Sequence, residues 1–87
     1  MDFGKALQAL KEGKKVARKG WNGKGMFLYY VGEDRYPAKT EIAKTIADKD
    51  GKVPYHAYIA MKTAQGYVVP WLASQTDILD EDWEVVE

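Results

Sequence analysis

Phe3, Ala6, Leu7 and Leu10 recur at the i, i+3, i+4, i+7 spacing of one helical face, with Lys5, Gln8, Lys11 and Glu12 on the other. Asp2 suits the N-cap and Gly13 the position just past the last turn, so the pattern predicts a helix over about 3–12. The period then changes. Residues 14–18 read as a brief strand, and Met26–Val31 is an almost unbroken run of apolar and aromatic residues. Such a run predicts a strand covered on both faces, by the helix on one side and by a partner subunit on the other.

Residues 33–53 are less regular. Gly32–Arg35 reads as a turn, and Pro37 is expected to interrupt any strand around Tyr36. Thr40 can cap a short helix carrying Ile42 and Ile46 at i, i+4, closed by a turn over 49–52. His56–Thr63 and Gly66–Trp71 read as a hairpin about Ala64-Gln65-Gly66. Ser74 followed by Asp77 gives a capping-box signature for a turn of helix over 75–79. Trp83–Val86 alternates as an edge strand. The sum is a small single α+β domain spanning 1–87: an N-terminal helix on an antiparallel sheet of about four to five strands, with 33–53 as a variable insert.

At 87 residues, 46% of them hydrophobic and 30% charged, the chain is globular with a small core. It has no cysteine to brace that core, and its 11 aromatic residues suit self-association, so a homo-oligomer is expected. The N-terminal residues do not read as a secretory signal and no run is long enough to span a membrane, which points to a soluble intracellular protein. The formal charge is zero but unevenly placed. Residues 1–35 hold eight Lys or Arg against four acids, whereas 67–87 hold six acids and no Lys or Arg. Without a surplus of cations the chain is not expected to bind nucleic acid.

The densest chemistry lies in Ala17-Arg18-Lys19-Gly20-Trp21-Asn22-Gly23-Lys24-Gly25-Met26. Its glycines let backbone N–H groups approach a ligand, Arg18 and Lys24 can neutralise phosphate, Trp21 can stack on a base, and Asn22 can pair with a base edge. The alternative is a tight turn whose Trp21 packs on the core. A second run, Pro70-Trp71 with Ser74-Gln75-Thr76-Asp77, adds an indole and a carboxylate able to accept from ribose hydroxyls. Catalysis finds little support, because His56 lies alone in an expected strand. The acids Asp77, Asp80, Glu81 and Asp82 have no His or Cys at metal-ligand spacing, so neither a metal nor a cofactor is expected. Glu81 and Asp82 read as a solvated helix end.

The Phe3-Gly4-Lys5-Ala6-Leu7 opening, the Ala17–Met26 run and the run Pro70–Trp83 together resemble the phage Thoeris anti-defense 2 family. That resemblance implies a non-enzymatic sponge, which binds a cyclic ADP-ribose isomer made as a bacterial immune signal and leaves it intact. It also implies a homo-oligomer, with a tetramer favoured, whose pockets lie between protomers in the cytoplasm of the infected host. Some members also sequester cyclic dinucleotides in separate pockets. Carried over by position, the ligand-binding residues would be Arg18, Trp21, Asn22, Gly23, Lys24, Met26, Trp71, Gln75 and Asp77. Residues 33–53 match no family pattern, and Ile78 stands where the family more often has Met. The competing readings are a phage protein-interaction module and, behind it, a phosphodiesterase or glycohydrolase using Asp77 or His56.

Overall fold

A computed structural model describes residues 1–87. Helix α1 (Phe3–Lys11) starts where expected, because the Asp2 side chain accepts from the Lys5 amide at 2.8 Å. It ends with Gly13 at φ +88°, a conformation only glycine adopts cheaply. Strands β1 (Lys15–Arg18), β2 (Phe27–Val31), β5 (Tyr58–Lys62), β6 (Val68–Pro70) and β7 (Trp83–Val86) form one antiparallel sheet in the order β6-β5-β2-β1-β7. Two short helices complete the chain, α2 (Glu41–Thr45) and α3 (Gln75–Leu79). None of the helices is long and apolar enough to cross a membrane.

The register puts Val16, Leu28, Met61, Val69 and Val85 side by side on one face of the sheet. There Ala6, Ala9 and Leu10 of α1 close on Val16, Leu28 and Trp83 to make the core, with Phe3, Leu7, Trp21, Ile59, Met61 and Trp71 around it. Strand alternation sends Phe27, Tyr29 and Val31 to the opposite face. Within one chain the helix thus covers one side of β2. On the other side the ammonium groups of Lys15 and Lys62 lie over the Phe27 ring, 4.8 and 5.7 Å from its centre.

The insert corrects the expectation of an interrupted strand. Strands β3 (Asp34–Pro37) and β4 (Lys52–Tyr55) pair antiparallel in a sheet of their own, from Asp34 opposite Tyr55 to Pro37 opposite Lys52. Pro37 is tolerated because it is the last residue of a strand with a single neighbour. α2 follows at the far end, capped by the Thr40 side chain on the Ala43 amide. The excursion is an arm, and it lengthens the molecule to 45 × 26 × 25 Å. Arg35 fastens its return, hydrogen-bonding Asp48 and, at 3.2 Å, Asp50. His56 is not in a strand. It lies in the link between β4 and β5, 98% exposed, with Nδ1 3.2 Å from Glu33.

Candidate functional site

The glycine-rich loop joins β1 to β2, and its close approaches are made first to the protein itself. The Gly20 amide donates to the Asp82 carboxylate at 3.0 Å, and the Lys19 amide donates to the Asp82 carbonyl at 3.0 Å. A Cβ on Gly20 would stand 3.0 Å from that same carboxylate. Gly23 lies under the Met26 side chain, where a Cβ would collide with the sulfur and come 3.1 Å from Ala64 Cβ. Gly25 adopts φ +74°, and its carbonyl accepts from Lys62 Nζ at 3.1 Å. The loop is thereby braced at three points along its length.

The second motif packs against the first. The Trp71 amide donates to Ile59 as β6 ends, and its ring meets Phe3 and Trp83, each at 6.0 Å between centres. Trp83 is fully buried and donates its indole N–H to the Asp77 carbonyl at 2.8 Å. Trp21 sets its ring edge-on to Trp83, 5.5 Å away at 78°. One buried indole thus carries both candidate indoles on its surface. Edge-to-face pairs of this kind add about 0.5–1.5 kcal/mol beyond the area they bury.

Arg18 locks the two motifs electrostatically. Its side chain is only 11% exposed, and three carboxylates surround it: Asp77 on Nη1 at 2.8 Å, Asp82 on Nε at 2.8 Å, and Asp80 on Nη2. Hydrogen bonds to Asp82 and Asp77 raise the guanidinium above its ordinary pKa, against the opposing effect of burial. Burial alone would push the Asp77 carboxyl up, yet Arg18 and the Ser74 amide and hydroxyl outweigh it and hold the group below its usual range, with the Trp21 indole acting the same way. Asp82 is lowered chiefly by Arg18, helped by the Gly20 amide. Asp77 also completes the capping box of α3 with Ser74.

The nine sequence-predicted residues therefore divide in two. Arg18, Asp77, Gly23 and Met26 are committed to internal contacts. In this arrangement Arg18 serves as the clasp of the corner, with its donors already taken by carboxylates. Trp21 and Trp71 are partly buried aromatic surfaces, while Asn22, Lys24 and Gln75 are exposed. Lys24 forms no ion pair within the chain. Sequence reasoning missed Asp80 and Asp82 as partners of Arg18. An acid cluster near one end and a lone Arg at the mouth of a glycine loop was the available signal.

The cavity of the single chain, about 450 Å³ and wide open, lies elsewhere, at the arm between Glu33, Asp34, Arg35, Pro54, Tyr55 and His56. It holds none of the nine residues.

The chain matches the model of the Tad2-like family, the Thoeris anti-defense 2-like domain, over residues 1–86. It is also 38% identical over 86 residues to Thoeris anti-defense 2 of Bacillus phage SP01, an alignment covering 99% of this chain and 94% of that protein. The matched span takes in α1, the glycine loop, the arm and the α3 corner alike.

Proposed function

This chain belongs to the Thoeris anti-defense 2-like family, which gives it a role against bacterial Thoeris defence, and from that premise we propose that it acts by sequestration. In this reading it holds a cyclic ADP-ribose-type signal without cleaving it, so the signal never reaches its effector. The observation that carries the reading is the braced glycine loop, with the Trp21 ring propped on Trp83 and Asn22 and Lys24 turned outward beside it.

A sponge must hold a scarce molecule, and nanomolar affinity corresponds to about −12 kcal/mol. A loop already fixed by Asp82, Lys62 and Met26 loses little freedom when it binds. Trp21 and Trp71 supply flat apolar surface, Lys24 supplies charge for phosphate, and Asn22 and Gln75 supply donors and acceptors. Arg18 acts by holding the corner in shape.

In one copy these groups line an open surface. A ligand enclosed on most sides needs a second wall, and another copy of the chain supplies it in a homo-oligomer, a tetramer in the family pattern. Nine buried residues make a small core, which favours the same association. The setting is the cytoplasm of the infected cell. The reading also leaves the ligand intact: His56 pairs with Glu33 at the arm and Asp77 with Arg18 at the corner, so neither stands as a free base beside the loop.

The test is recovery of the ligand. The protein is saturated with a cyclic ADP-ribose isomer, freed of excess by gel filtration, then heated to release what it carried. Intact isomer in stoichiometric amount is expected. A hydrolysed product, or none of the isomer retained, overturns the proposal.

A further inference from the structure

We propose that the tip of the arm docks on the α3 corner of a second copy, so that each copy's ligand-facing surface is completed by its neighbour's arm. The inference rests on the shared-pocket reading above and names the segments that would share it.

Two apolar patches are left bare in the single chain. At the end of the arm, Ile42 on α2 and Ile46 at its C-cap stand four residues apart and are 79% and 66% exposed. A helix of five residues has no stability of its own and normally owes its order to packing of its apolar side. The arm offers little of that packing, since Val53 is its one buried residue. At the other patch, Leu72 ahead of α3 and Leu79 at its last position are 91% and 74% exposed.

Charge selects the pairing. Around the arm tip Lys39, Lys49 and Lys52 have no ion-pair partner, whereas Asp48 and Asp50 are engaged by Arg35 and Glu41 by Lys44. The tip is therefore basic. The corner is acidic, because three carboxylates meet the single guanidinium of Arg18 and Glu81 beside them is exposed and unpaired. Opposite fields around matching apolar centres favour this register and penalise others. The uncovered sheet face about Phe27 is a poorer seat, since Lys15 and Lys62 would oppose the basic tip. Reciprocal docking about a two-fold axis closes on itself, each copy giving one arm and receiving one. It places the neighbour's arm beside Gln75 and Asp77.

The chain has no cysteine, so introduced thiols report on this contact alone. Chains carrying Ile46→Cys and chains carrying Leu79→Cys are co-expressed, mildly oxidised and weighed intact. A disulfide joining one of each is expected in excess over either like pair, while Lys11→Cys paired with Leu79→Cys gives no such excess. A second variant, Ile42→Asp with Ile46→Asp, should lower the assembly mass while each chain keeps a cooperative unfolding transition, since neither side chain reaches the core and only the stability contributed by association is lost. An assembly of several copies without the mixed disulfide, or one indifferent to the two aspartates, overturns the arm contact and leaves the shared pocket standing. A protein that stays a single copy with and without a cyclic ADP-ribose isomer overturns both.

Discussion

The Arg18 guanidinium lies 2.8 Å from the Asp77 carboxylate, 59 positions further along the chain. That contact makes one site of two distant sequence motifs, because Asp77 caps α3 while Arg18 opens the glycine loop. Asp80 and Asp82 complete the ring about the same guanidinium.

Replacing the clasp should therefore disturb fold and binding together. Arg18→Lys keeps the charge but loses the planar fork that serves three carboxylates at once. Its melting temperature and its affinity for a cyclic ADP-ribose isomer are both expected to fall. Lys24→Ala, on an exposed and unpaired side chain, should weaken binding at an unchanged melting temperature. Thermal melts beside calorimetric titrations separate the two effects.

Acid should open the corner. Asp77 and Asp82 titrate below the ordinary carboxylate value in the folded protein, so the unfolded chain takes up their protons first. Their stabilising contribution is complete above the unfolded value, about 3.9, and is lost as pH falls through the lower folded values. Arg18, raised, stays charged throughout. Melting temperatures should fall below about pH 4, and Asp82→Asn should flatten that fall.

Gly23→Ala tests whether the loop must be tight. Its new methyl would collide with the Met26 sulfur and press on Ala64, so Met26 must swing away. Because Met is flexible, the expected outcome is a modest loss of stability with a clear loss of ligand binding. Adding Met26→Ala should restore part of the binding, which titration of the single and double variants will show.

The three indoles should respond differently to truncation. Trp83→Ala empties the core and should cost about 3–5 kcal/mol, enough to unfold much of a chain this small. Trp21→Ala removes a ring from the edge of the same cluster. It should leave a cooperative unfolding transition while losing about 1–3 kcal/mol of stacking, roughly five- to 150-fold in Kd. Chemical denaturation of each variant, paired with ligand titration, gives both numbers.

Elements with strong local signals are legible in the sequence itself. The apolar spacing from Phe3 to Leu10 with Asp2 ahead of it gave α1, and the Ser74–Asp77 box gave α3. The number of strands in the main sheet followed from alternation and turn residues, whereas their order, β6-β5-β2-β1-β7, depends on long-range pairing that no local pattern carries. The arm was obscured because Pro37 and Pro54 mask two strands whose pairing with each other tolerates them. At the site, residue types were informative but their partners were not. Arg18 looked like a phosphate ligand because its carboxylates sit 59–64 residues away, a separation that no local pattern reports. Trp83 likewise gave no local sign that Trp21 and Trp71 would both lean on it.

Native mass spectrometry of the protein with a saturating cyclic ADP-ribose isomer bears most directly on sequestration by a site shared between copies. The expected spectrum shows assemblies of more than one chain carrying the isomer at its original mass, and Trp21→Ala assemblies of the same size without it. A ligand-free single chain at saturating isomer, or a bound species heavier by one water, would contradict it.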